Sequence, residues 1–467
     1  MKKTFLLLAG VLLLVTGCTL APRYTKPEAP VPAEWPKSAA TAGTATATAP
    51  AAAEGKWQEF FADEKLRKVI ETALENNRDL MLAVLNVEKV RALYGVQRAE
   101  LFPSVSAVGS GTKKRVPADL SNSGKSQTVE EYSVNFGVLS WEIDLFGRIR
   151  SMKESALQQY LSTEQARRGA QILLVSEVAT AYLTLAVDRE NLALSRSTLE
   201  SRKAAYDLIR RRFELGLATE LDLQRARTTV EAARADVARY TQLAAQDENA
   251  LNLLAGSTIP EELLPVDLAA VKPPSEISPG LSSEVLLGRP DILAAEHLLK
   301  ASNANIGAAR AAFFPRIALT ATAGTASSEL SGLFGAHQGV WSFVPVISMP
   351  IFDARTWSAY DVSQAERKIA LVQYEKAIQN AFREVADGLA VQGTVGEEVS
   401  AQRSLVEATA ETYRLSNMRY EKGIDSFLGV LDAQRSLYAA QQGLIAVRLK
   451  QLANRVLLYA ALGGGGN

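Results

Sequence analysis

The stretch RAELFPSV occupies residues 98–105, and RAAFFPRI occupies 310–317. Each closes an apolar helical pattern with Phe-Pro. Proline has no backbone N–H and biases the residue before it toward extended geometry, so Pro103 and Pro315 read as helix exits. Two such exits in nearly the same letters point to an internal duplication. Other landmarks keep the same order. YSVNFGVLSWEIDLFG at 132–147 follows the first exit, and GVWSFVPVISMPIFD at 339–353 follows the second. RRFELG ends at Gly216 and MRYEKG at Gly423, while NLLAG ends at 256 and YAALG at 463; both pairs are offset by 207 residues.

Each half therefore repeats one plan. A helix comes first, about 61–100 and about 288–314. Two strand-like stretches follow. Ile317, Leu319, Ala321 and Ala323 alternate with Ala318, Thr320 and Thr322, and Val134, Phe136 and Val138 alternate with Ser133, Asn135 and Gly137. Period two over about ten residues fits a half-buried strand or a strand of a membrane barrel. KKRVPADLSNSGKSQ and ASSELSGLFGAHQG read as turn-rich connections.

A proline-free helical stretch comes next, about 152–215 and about 355–422. Sixty helical residues reach about 90 Å. A return helix follows, about 219–255 and 426–462. Leu223, Val230, Val237, Ala244 and Leu251 are spaced seven apart, as are Leu431, Tyr438, Ile445, Leu452 and Tyr459. Leu174, Val178, Ala181 and Leu185 step by four, three and four. These are coiled-coil spacings. Gly216 and Gly423 fall where each rod reverses, and glycine suits a left-handed helix cap there.

The chain has 467 residues, 47% of them hydrophobic, with 51 Lys+Arg against 51 Asp+Glu. Balanced charge argues against nucleic acid as a partner. MKKTFLLLAGVLLLVTGC at 1–18 has the layout of a secretory signal. Cys18 is the single cysteine, so an internal disulfide is excluded. VTGC resembles the bacterial lipobox, which would make Cys18 the lipidated first residue of the mature chain. Thr19 rather than Asp follows it, which implies sorting to the outer membrane. Residues 21–55 read as an extended tether without a core of its own.

Four strands per chain are too few to close a membrane barrel, and open edges are not tolerated in lipid. If the strands span a bilayer, copies must share them. Two copies would give a narrow eight-stranded barrel, and three would give twelve strands with room for a pore. Spacing alone leaves both counts open.

WEIDLFGRIR at 141–150, GRPDILAAEHLLKASNANIGAARAAFFP at 288–315 and RYEKGIDSFLGVLDAQRSLYAAQ at 419–441, with the FPxV and FPxI turns, carry a resemblance. After Cys18 the chain resembles outer membrane factors of the TolC family, and within them the lipidated OprM-type branch. The resemblance implies a mixed α and membrane-β fold. It would be a homotrimer with a twelve-stranded outer membrane barrel on a long periplasmic coiled-coil tunnel. On this plan 1–17 is the lipoprotein signal and 18–55 the lipidated tether. Residues 56–101 form the first-half helix and part of an equatorial belt, 102–147 the first strand pair, and 148–256 the first helical hairpin. The belt also takes the linker 257–287. Residues 288–314 form the second-half helix, 315–353 the second strand pair, 354–462 the second hairpin, and 463–467 a C-terminal tail.

The resemblance further implies the exit duct of a tripartite multidrug or solvent efflux system. The partners would be a periplasmic adaptor and an inner membrane transporter of RND type. A type I protein secretion channel or a metal-ion export channel is the alternative. The closing contacts of the family fall in the LDAQR segment, so Asp432 and Arg435 match a gate. Leu428 matches a constricting apolar ring, with Ser426 near it. Gly429 stands where TolC itself has a second aspartate. The Gly216 and Gly423 turns would form the adaptor-facing tip. No catalytic constellation is expected. His297 and His337 lie far apart, Cys18 is committed to lipid, and the one covalent group expected is that lipid.

Overall fold

The computed structural model describes residues 19–36, 56–277 and 282–464. The chain divides into two compact units. One holds residues up to Glu28, Asn86–Glu164 and Ala294–Tyr374; the other holds Ala29–Leu85, Gln165–Leu293 and the chain from Glu375 on. The helices are α1 (Trp57–Phe60), α2 (Glu64–Asn76), α3 (Arg78–Ala99), α4 (Arg148–Glu214), α5 (Glu220–Ala255), α6 (Pro290–Ala311), α7 (Ala354–Glu421) and α8 (Phe427–Ala461). The strands are β1 (Val105–Val116), β2 (Gln127–Ile143), β3 (Arg316–Ser327) and β4 (Gly339–Ser348).

The first unit is built on the strands. They form one antiparallel sheet in the order β1-β2-β3-β4. Lys113–Val116 continues β1, so the connection expected from residue 113 onward is shorter than its polar letters suggest. These residues stay in the strand because they pair with Gln127–Glu130 across the hairpin. A bulge between Val138 and Trp141 leaves Ser140 at φ 55°, with its N–H donating to Thr320 Oγ1 at 3.2 Å. Gly137 sits where β2 and β3 approach closely: a Cβ there would lie 2.2 Å from the Ala321 carbonyl oxygen. Every residue of β4 is exposed, as is nearly all of β1. Among the described residues no layer covers those strands, and β1 and β4 each pair on one side only.

Both Phe-Pro segments do end helices. Phe102 N–H bonds Ala99 O at 2.9 Å before β1 begins, and Phe314 N–H bonds Ala311 O at 3.1 Å before β3 begins. Residues 19–26 form neither helix nor strand and are held against α6 in this unit. Arg310 donates to Leu20 O at 3.2 Å, Asn303 to Pro22 O at 2.7 Å, and the Tyr24 hydroxyl to Glu296 at 3.2 Å. Cys18 falls outside the described residues.

The second unit is helical. Val178, Ala179, Leu183 and Leu185 of α4 are fully buried, together with Leu251 of α5 and Ile378 and Ala381 of α7. The heptad positions Leu431, Tyr438, Ile445 and Tyr459 of α8 are buried too. Tyr459 stacks on Phe60 at 4.6 Å and meets Phe61 edge-on at 5.5 Å. Part of α4 is long and apolar enough to cross a membrane, but Val175, Val178 and Tyr182 there are core residues. The helix expected over 61–100 is broken at Asn77, whose backbone is extended at ψ 130°. Its side chain accepts from Leu80 N–H and donates to Leu254 O, both at 2.9 Å, so a packed polar cap replaces the continuous ladder. The 257–277 segment is packed rather than loose: Leu264, Leu268 and Ile277 are buried, and Tyr182 donates to Leu263 O at 3.1 Å.

Candidate functional site

The two hairpin turns of the helical unit share one backbone solution. Gly216 has φ 74° and Gly423 has φ 72°. Leu217 N–H reaches back to Arg212 O at 2.7 Å, and Ile424 N–H to Arg419 O at 2.9 Å. Gly216 N–H bonds Phe213 O, and Gly423 N–H bonds Tyr420 O, both at 2.9 Å. These paired bonds satisfy the last carbonyls of α4 and α7 and need a left-handed residue, which glycine supplies without a Cβ penalty.

The helices that follow start differently. Thr219 and Asp222 form a reciprocal capping box at α5. Ser426 occupies the matching place at α8 but its side chain makes no cap bond, and Gly429 stands at the third helical position where α5 has Asp222. A capping side chain contributes about 1 kcal/mol. The second hairpin therefore begins its return helix with less local support than the first.

Between the hairpins lies a small apolar core. Ile209 and Ala226 from the first half meet Phe427, Val430 and Leu431 from the second. Burying a side chain of that size contributes about 1.5–3 kcal/mol. Arg212 Nη1 donates to the Tyr420 hydroxyl at 2.9 Å and lies over its ring at 5.1 Å, while Tyr420 packs against Phe427. Arg419 grips Asp425 across the turn at 2.5 and 3.1 Å and holds that carboxyl below the usual carboxylate range.

Of the expected gate residues, Asp432 and Arg435 come together, Arg435 Nη2 to Asp432 Oδ1 at 2.8 Å, with both side chains more than half exposed. Leu428 is exposed on the first turn of α8 and joins neither this pair nor the apolar core. Higher up, the Tyr438 hydroxyl links Ser195 at 2.9 Å with Asp236 at 3.2 Å, and Arg202 lies over its ring. Elsewhere in the helical unit, burial followed by the bond and repulsion from Asp188 pushes Asp247 up to about 6, and burial raises Asp188 as well.

The model of the outer membrane efflux protein family matches residues 69–257 and 281–464. The chain is 50% identical to the toluene efflux pump outer membrane protein TtgC of Pseudomonas putida, over 100% of this chain and 96% of the relative. A crystallised membrane protein from Pseudomonas aeruginosa superposes with a TM-score of 0.89 at 42% identity, covering 96% and 98% of the two chains. The open-state MtrE outer membrane channel of Neisseria gonorrhoeae does so with a TM-score of 0.83 at 37% identity, again covering 96% and 98%.

The chain belongs to the outer membrane efflux protein family.

As an outer membrane efflux protein it is a passive channel component rather than an enzyme, with a membrane-spanning region and a large helical periplasmic portion. His297 has a structural partner, Gln158 Oε1 at 2.7 Å from Nδ1. Among the described residues no group of His, Cys, Asp and Glu is arranged to hold a metal. The Arg212–Tyr420 contact and the Arg419–Asp425 grip were not singled out from sequence. A signal for them existed: the duplication aligns RRFELG with MRYEKG, which marks both segments as turn-forming and both arginines as equivalent.

Proposed function

We propose that this protein works as a homotrimer of the lipidated OprM-like branch. It is the exit duct of a tripartite efflux system that moves drugs or solvents, fed by a periplasmic adaptor and an RND-type inner membrane transporter. One observation carries the trimeric channel: the four-stranded sheet has unpaired edges at β1 and β4 and exposed apolar strands, which lipid tolerates only in a closed ring. The toluene pump name of the relative at 50% identity supports the cargo class. The VTGC segment supports lipid on Cys18.

The gate in this reading is the start of α8. Three copies of Leu428 narrow the tube, and Asp432 and Arg435 add charged rings with Ser426 beside them. The weakly capped second hairpin slides against the apolar core it shares with the first when the adaptor docks on the Gly216 and Gly423 turns. Discrete repacking of helices is an established route for such switching. Single-channel recording of purified protein in planar bilayers tests the assignment. Asp432→Ala and Arg435→Ala each raise resting conductance severalfold. Unchanged conductance in both variants removes the gate from this segment.

A further inference from the structure

A groove of about 1020 Å³ runs between α4, α5 and α8, far along these helices from the proposed gate. Leu173, Glu177, Thr180 and Thr184 line it from α4, stepping by four, three and four along one helix face. Leu253 of α5 and Leu457 of α8 complete its apolar wall. The three leucines are bare: Leu253 is 79% exposed, Leu173 56% and Leu457 50%. On the opposite face of α4, Tyr182 is buried and donates to Leu263 O at 3.1 Å. The packed 257–277 segment therefore covers the back of α4, and the groove opens on the other side. With that segment in a belt around the proposed tube, the groove faces the bore.

The polar groups of the groove are one-sided in charge. Glu177, Asp247, Asp291 and Glu384 line it, against Arg289 as its one basic side chain. Arg289 is already committed, donating to Asp291 at 2.8 Å, to Glu384 at 3.0 Å and to Ala461 O at 2.5 Å. Glu177 is exposed and has no ion-pair partner among the described residues. Asp247 meets the carboxyl of Asp188, so a second acid stands behind it. Ser176, only 8% exposed, lines the same groove with a hydroxyl that has no hydrogen-bond partner. An apolar concave wall with a few convergent polar groups is the usual make-up of a small-molecule site, and this volume suits a drug-sized molecule. A neutral apolar molecule would cover the leucines and leave Glu177 unmatched, while an anion would be repelled by it.

We infer that this groove is a transient seat for apolar organic cations passing through the tube, with the three leucines holding the body and Glu177 and Asp247 the charge. This rests on the efflux duct proposed above and names a cargo class for it. Three copies set three such seats around the bore. A site in a conduit must bind well enough to admit its cargo and weakly enough to release it, and a groove open along one side meets both demands.

Tetraphenylphosphonium and tetraphenylborate have nearly the same shape and opposite charge, so together they separate charge from apolar contact. Equilibrium dialysis of the purified protein in phosphatidylcholine nanodiscs, with empty nanodiscs subtracted, is expected to show the cation bound about tenfold more tightly than the anion. Glu177→Gln is expected to lower affinity for the cation about fivefold and to leave that for the anion unchanged. Glu177→Lys is expected to reverse the preference, and Leu253→Ser to weaken cation binding about fivefold. Both positions are exposed, so melting temperatures should stay within about 2 °C of the parent. Equal binding of the two ions, or binding of neither because a neighbouring copy covers the groove, overturns the seat; if that protein still conducts in planar bilayers, the duct stands. Selective cation binding by protein that forms no conducting oligomer upholds the cation site and removes the duct.

Discussion

A pair such as Asp432 and Arg435, three residues apart on an exposed helix face, contributes a few tenths of a kcal/mol to stability at most. Its removal should leave the melting temperature within about 1 °C while changing conductance, which separates a gating role from a structural one. Asp247 presents the opposite case. Its pKa of about 6 lies above its ordinary 3.8, so the folded chain holds the proton longer than the unfolded chain does. Stability contributed there is present at low pH and is lost as pH rises from about 4 to about 6. Arg239 draws Asp188, its neighbour, the other way, toward ionisation. Thermal melts of the purified protein at pH 5 and pH 7.5 check this. Asp247→Asn is expected to melt higher than the parent at pH 7.5 and to show a smaller difference between the two conditions. An identical pH difference in both proteins would remove the Asp188–Asp247 pair from the explanation.

At the scale of elements, the two hairpins share the glycine cap and differ in the cap that follows. Gly429 has open space around its Cβ position and no unusual φ, so a side chain fits there. Gly429→Asp rebuilds the box that Thr219 and Asp222 make in the first half. A gain of about 1 kcal/mol at that helix start is expected, together with slower opening. Amide exchange at 426–430 should slow, and drug export by cells carrying the variant should fall; unaltered exchange would show that the cap is not what loosens this turn. The heptad positions of α5 and α8 were legible in the letters because a helix that packs on one side must repeat its apolar residues at that interval. Leu251, Tyr438 and Tyr459 are buried as that spacing requires. The break at Asn77 was not legible: an asparagine inside a polar-apolar helical pattern becomes a cap only when a carbonyl such as Leu254 O arrives from far along the chain.

For the whole molecule, the exposed strands and the matched halves have one consistent account, a ring of copies in the outer membrane. Purified protein in detergent should therefore have the mass of three chains plus micelle, measured by light scattering; a monodisperse single chain would remove the ring. The two units carry different parts of the work. Strands for the membrane are in one, and turns, apolar core and charged pair of the α8 start are in the other.

Duplication, proline exits, long rods and the number of strands were all set by local sequence, because each depends on a backbone donor, a φ value or a repeat that neighbouring residues dictate. The tertiary structure alone decided the rest. It gave Arg212 to Tyr420 and Asn77 to a distant carbonyl. Those outcomes depend on which side chains come within about 3 Å across many intervening residues, and spacing along the chain carries no record of that distance.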